Sequence, residues 1–111
     1  MAKVIADYKV VYADAITAAK GDPVLIQRRE TKAEWLGWIW CTLKGGKSGW
    51  ISESYLEIGV NTGSLIKDYD GREVPLFIGE EVEVLEVDSG WAWVRKDDGT
   101  EGWVPLENLS I

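Results

Sequence analysis

The stretch GWIWCTLKGGKSGWIS, residues 37–52, returns fifty-three positions later as GWAWVRKDDGTEGWVP, residues 90–105, and this pair decides how the whole chain is read. With Trp38 laid on Trp91, Trp40 falls on Trp93, Gly49-Trp50 on Gly102-Trp103, Ile51 on Val104 and Leu56 on Leu109, a register without a gap over nineteen positions. Upstream the match continues with changed offsets. Asp7-Tyr8 corresponds to Asp68-Tyr69 and Gly21-Asp22 to Gly79-Glu80, which requires insertions of three and five residues in the first copy. Both fall between strand-like segments, where loops absorb length changes that strands do not. The chain therefore holds two homologous units, expected as domains 1–58 and 63–111 with a short linker at 59–62. Their boundary lies in EIGVNTGS, 57–64, where Gly59, Asn61, Thr62 and Gly63 supply turn chemistry.

Each copy reads as all-β. In EEVEVLEV, 80–87, Val82, Val84 and a third apolar position alternate with Glu81, Glu83 and Glu86, the period-two pattern of a strand with one buried face. DSG then turns the chain into WAWVRK, and DDGT turns it into EGWVPL. In the first copy PVLIQR, WIWCTL and SGWISE do the same, with KGGK as the tight turn. Nothing has helical length or spacing, and SESYL and PLENL each fit a single helical turn. Five short strands in about fifty residues most simply close into a small, partly open barrel, so two five-stranded barrels in tandem are expected. Alternation along the central strands sends Ile39, Cys41, Ala92 and Val94 inward, and Trp38, Trp40, Trp91 and Trp93 to the other face.

Composition narrows the function. Hydrophobic residues make up 46% and charged residues 28% of the 111 positions, with three prolines, which is globular rather than disordered. Apolar runs such as VLI at 24–26 fall far short of the roughly 20 residues that span a bilayer. The opening MAKVIADY has no apolar signal core, so a cytoplasmic location and no membrane partner are expected. A single cysteine, Cys41, excludes an internal disulfide framework and reads as a small buried hydrophobe. Residues 1–58 carry eight Lys/Arg and seven Asp/Glu, and residues 59–111 carry four and twelve, giving +1 and −8. An acidic half without a basic stripe repels phosphate, so nucleic acid is not an expected partner, whereas a basic peptide suits the second half. The alternative is that the acids serve only solubility. There is no histidine, hence no His-based general base or imidazole metal site, and Cys41 has no evident activator. Asp97-Asp98 beside Gly99 read as turn formers. Neither catalysis nor a cofactor is expected.

In this order and spacing the residues resemble the SH3 domain, in particular the variant SH3 domains of bacterial proteins. VIADY at 4–8 and LIKDY at 65–69 are similar to the family's opening strand, and ITAAKGD and VPLFIGE to the turn after its long RT loop. Trp38 and Trp91 match the tryptophan that starts the third strand. GWIS and GWVP match the segment that closes the barrel, and Tyr55 the aromatic of the 3₁₀ turn that follows. The resemblance covers nearly the whole chain, twice, and implies grooves for proline-rich polyproline-II segments. Carried over residue by residue, it assigns Tyr8, Trp38, Trp50 and Tyr55 to the first groove, and Tyr69, Trp91, Trp103 and Pro105 to the second. Tyr12, on the first RT loop, is a candidate to replace the aromatic missing at Ala6. The chain departs from the family pattern at Ala6 and Ser52 in the first copy and at Lys67 and Asn108 in the second, so each groove is incomplete, and differently so. Trp35, in RRETKAEWLG, is either a loop anchor or a ligand contact.

Two functions are expected from these residues. One is a non-catalytic module that binds a protein or peptide ligand, proline-rich or basic, through aromatic grooves. The other is a structural tandem whose aromatic surfaces, Trp40 and Trp93 foremost, pack domain on domain or on a partner, with no linear-motif ligand.

Overall fold

The computed structural model describes residues 1–10, 15–29 and 37–110; Tyr12, Asp14 and Trp35 lie outside them. In chain order the strands are β1 Ala2–Val4, β2 Thr17–Ala18, β3 Pro23–Arg29, β4 Trp38–Leu43, β5 Ser48–Ser52, β6 Leu56–Ile58, β7 Thr62–Leu65, β8 Tyr69–Asp70, β9 Glu81–Asp88, β10 Trp91–Arg95, β11 Glu101–Pro105 and β12 Leu109–Ser110. Single 3₁₀ turns at Glu53–Tyr55 and Leu106–Asn108 occupy SESYL and PLENL as expected. The fold is all-β, with curled antiparallel sheets of the SH3-like barrel type.

The chain forms two compact units. A continuous unit spans Ala15–Gly71, and a split unit combines Met1–Asp14 with Arg72–Ile111. The continuous unit holds a five-stranded sheet of order β5-β4-β3-β7-β6, and the split unit one of order β11-β10-β9-β1-β12. These are the same sheet built twice, with β7 standing in one where β1 stands in the other. The opening segment of each sequence copy is therefore seated in the sheet of the opposite copy. The seats match bond for bond. Val4 N–H donates to Glu80 O at 2.8 Å and Leu65 N–H to Asp22 O at 3.0 Å, while Ile5 N–H donates to Asn108 O and Ile66 N–H to Tyr55 O, both at 2.9 Å. Tyr8 bridges Leu76 in the split unit, and Tyr69 pairs with Ala18 in the continuous one.

The compact units thus cut across the repeats 1–58 and 63–111. Residues 59–62, expected as a linker, include the turn of the β6–β7 hairpin. There Gly59 N–H donates to Thr62 O at 2.7 Å and Ile58 lies opposite Gly63. The physical reason is that sequence similarity locates the two openers but does not say which gap each fills, because both carry the same alternation.

Alternation reads the cores correctly. Ile39, Cys41, Ala92 and Val94 are all buried, and the split unit's core gathers Ala2, Val4, Val74, Leu76, Val82, Val104 and Leu109 around the last two. It fails along β9, where Leu85 and Val87 are exposed. Val84 faces Val94 but Glu86 faces Trp93, so Leu85 is an extra residue, a β-bulge that reverses which side chains point inward. Gln27 is the same extra residue in β3, between Ile26 opposite Cys41 and Arg28 opposite Trp40.

The repeated Gly-Trp has a steric cause. A Cβ on Gly49 would lie 2.9 Å from Ile16 Cδ1, and one on Gly102 would lie 2.8 Å from Val74 Cγ1 and 3.1 Å from Arg72 O. Each glycine lets the RT-side segment of its own unit press flat on the sheet. At Gly49 the obstacle is one flexible side chain, whereas at Gly102 it includes backbone. Gly102→Ala is therefore expected to cost about 1–3 kcal/mol, and Gly49→Ala less, by urea denaturation. Burial pushes the Cys41 thiol up to about 11 from 9.0. Because the folded state favours the neutral thiol, this contribution to stability is intact below pH 9 and lost as the pH rises toward 11. Ellman's reagent at about pH 8 should label Cys41 rapidly in urea and only slowly in the native protein, since the thiolate is the reactive form.

Candidate functional site

In the split unit a half-exposed aromatic pair forms where the exchanged opener meets β10. The Tyr8–Leu76 bridge is closed by Tyr8 N–H donating to Leu76 O at 2.9 Å and Leu76 N–H donating to Tyr8 O at 3.0 Å. This carries the Tyr8 ring to the edge of Trp91, with centroids 5.9 Å apart and planes at 83°. The Tyr8 hydroxyl donates to the Glu73 carboxylate, so an acid of the RT-side segment stands beside the aromatic pair. Pro105 lies directly across the sheet from Trp91, on the neighbouring strand, and is buried. Asn108, where the family pattern has a tyrosine, spends its amide on the opener instead: Nδ2 donates to Asp7 O at 3.1 Å and Ala6 O at 3.3 Å. Beyond Trp91 on the same face, half-buried Trp93 lies under the Arg72 guanidinium at 5.5 Å and donates from Nε1 to Glu101 at 2.9 Å.

The corresponding region of the continuous unit is closed. Trp38, Tyr55 and Tyr69 are 8%, 6% and 5% exposed. Tyr69 packs edge-on against Tyr55 at 5.0 Å and donates its hydroxyl to Trp50 O at 3.1 Å. Lys67 places its ammonium 4.1 Å above the Tyr55 ring, so a cation of the chain itself already occupies that aromatic face. Ser52, in the place of Pro105, is fully buried, and its hydroxyl accepts the Ser54 N–H at 3.4 Å as the cap of the 3₁₀ turn.

The structure therefore distributes the expected site residues unevenly. Tyr8 and Trp91 meet, with Pro105 across the sheet from Trp91, whereas the sequence copies had placed Tyr8 with Trp38 and Tyr69 with Trp91. Trp50 and Trp103 turn toward Trp40 and Trp93, at centroid distances of 5.1 and 5.5 Å, and Trp103 is only 4% exposed. Arg72 O receives the Trp103 N–H at 2.8 Å, and Glu73 forms a bridge to the same residue, so the RT-side segment runs along Trp103. The Tyr8–Glu73 contact escaped the sequence reading, because it joins the opener of one copy to the RT loop of the other.

Regrouping by compact unit also sharpens the charge. The split unit holds five Lys/Arg and twelve Asp/Glu, a net −7, and the continuous unit holds seven of each, a net of zero. Among the described residues no group of three or more His, Cys, Asp or Glu is placed to hold a metal ion. Nor is any helix among them long and apolar enough to cross a membrane.

Two curled five-stranded sheets, each with an RT-side segment folded over its Gly-Trp strand, define a protein made of SH3-type barrels. Residues 1–59, more than half the chain, match the model of the variant SH3 domain, and residues 76–109 match that of the bacterial dipeptidyl-peptidase SH3 domain. The chain belongs to the variant SH3 domain family. No solved structure matches it.

Tyr8→Phe removes a hydroxyl that donates to the Glu73 carboxylate. It is expected to lower stability by about 1 kcal/mol, read as a shift of the urea midpoint with an unchanged slope.

Proposed function

We propose that the chain is a non-catalytic interaction module, cytoplasmic, whose working groove is the Tyr8–Trp91 site of the split unit, and that its ligand is a basic, proline-containing peptide segment. The observation that carries this reading is the half-exposed Tyr8–Trp91 pair with Glu73 beside it, in a unit of net charge −7. An edge-to-face pair presents an apolar notch for a proline ring, and polyproline-II segments fill such notches at low entropic cost. The Glu73 carboxylate offers an arginine of the ligand a charge-assisted hydrogen bond. Trp93, on the same face, extends the platform.

The continuous unit has a different role in this reading. Its Trp38, Tyr55 and Tyr69 are buried, and Lys67 repels a cationic ligand from Tyr55. Its function is structural, in line with a tandem whose aromatic residues serve packing. The match to an SH3 domain of bacterial dipeptidyl-peptidases fits a module that accompanies other functions.

The test is a fluorescence titration with two synthetic peptides, one an arginine-flanked PxxP segment and the other identical with glutamate for arginine. The basic peptide should give a saturable change in tryptophan emission that weakens with added salt, and the acidic one none. Trp91→Ala should weaken binding about tenfold or more, and Glu73→Gln several-fold, with far-ultraviolet circular dichroism unchanged. Equal binding of both peptides, or saturable binding that survives Trp91→Ala, contradicts the proposal.

A further inference from the structure

The two openers, residues 2–8 and 63–69, are similar enough to align position by position, yet each sits in the sheet of the other copy. Self-closure, with each opener seated in its own copy, would satisfy equivalent backbone hydrogen bonds, so the choice falls to the side chains together with the short connection at 59–62, which the exchanged pairing folds into the β6–β7 hairpin. Four aligned positions differ: Lys3 against Ser64, neither of them buried, and then Ala2 against Gly63, Val4 against Leu65, and Ala6 against Lys67.

The last three differences favour exchange. At Gly63 a Cβ would lie 2.9 Å from Glu57 O, a backbone atom that cannot swing aside, and 3.6 Å from Val24 and Ile26. Seating Ala2 there forces that contact. In the split unit the same position has room for a methyl group, and Ala2 is buried in the core with Val82 opposite it across the sheet. Seating Gly63 there leaves a methyl-sized void. Val4 and Leu65 are both buried, so trading them overfills one core and underfills the other. Lys67 covers the Tyr55 ring at 4.1 Å, a contact that Ala6 cannot supply.

We propose that the side chains at 2/63, 4/65 and 6/67 act as a reciprocal lock, selecting the exchanged pairing over self-closure within one chain. The groove of the second copy is in consequence a composite that takes its tyrosine, Tyr8, from the first. This holds whether or not that groove receives a peptide.

Cysteine pairs in the full chain test it directly. Exchange aligns Lys3 with Ser110 and Glu57 with Ser64, whereas self-closure aligns Lys3 with Glu57 and Ser64 with Ser110. The buried Cys41 thiol stays out of reach of the oxidant. On mild oxidation, Lys3→Cys/Ser110→Cys and Glu57→Cys/Ser64→Cys should form disulfides in monomers, seen by peptide mapping and gel filtration. Lys3→Cys/Glu57→Cys should form less than a tenth as much. Introducing Ala2→Gly, Gly63→Ala, Ala6→Lys and Lys67→Ala together should raise that third cross-link severalfold. A dominant Lys3–Glu57 cross-link in the otherwise natural chain overturns the proposal, as does Lys3–Ser110 cross-linking found only between two chains. A lock-reversed chain that cross-links as the natural one does overturns the role given to these side chains.

Discussion

Each five-stranded sheet in this protein has one place that its own copy leaves empty, between β9 and β12 in one and between β3 and β6 in the other. An empty place is a row of unpaired N–H and C=O groups, and burying them without partners costs far more than most side-chain contacts return. An opener must fill it, and everything else is arranged around that demand. Once β1 and β7 are seated, Val4 and Leu65 complete the cores, and the RT-side segments lie against Gly102 and Gly49. Tyr8 arrives at Trp91 on β10, and Tyr69 at Tyr55 and the Trp50 carbonyl. The identity of the opener thus sets which aromatic residues stand together.

The two sites diverge for the same reason. One receives an opener with Ala6 and Tyr8, which leaves the Tyr8–Trp91 pair half open with Glu73 at hand. The other receives Lys67 and Tyr69; its Trp38, Tyr55 and Tyr69 are buried, and the chain's own cation covers Tyr55. Sorting residues by compact unit rather than by copy concentrates the entire net charge of −7 in the unit that has the open pair. Net negative charge and the Tyr8–Trp91 pair therefore fall in the same unit.

Much of this was legible in the sequence. The Gly-Trp repeat and its tight turns located the central hairpins, and two-residue alternation placed Ile39, Cys41, Ala92 and Val94 inside. The KGGK and DDGT turns appear as expected, with Gly46 and Gly99 at φ of 95° and 89°, where a side chain would be strained. Two features were not legible. The bulges at Gln27 and Leu85 carry no distinctive residue, so alternation was extended one step too far along β9. The exchange of openers was hidden because similarity between copies is what makes them interchangeable in a pattern. What separates them is chiefly volume at Ala2, Gly63, Val4 and Leu65 and the Lys67–Tyr55 contact, and reading either requires knowing the opposite wall. The Tyr8–Glu73 contact was missed for that reason rather than for want of a motif.

The most direct measurement is the nuclear Overhauser contact made by Tyr8 in the undivided protein. The account predicts cross-strand contacts between the backbone protons of Tyr8 and Leu76, together with ring contacts from Tyr8 to Trp91. Contacts of Tyr8 with Ala18 and Trp38 in their place would contradict it.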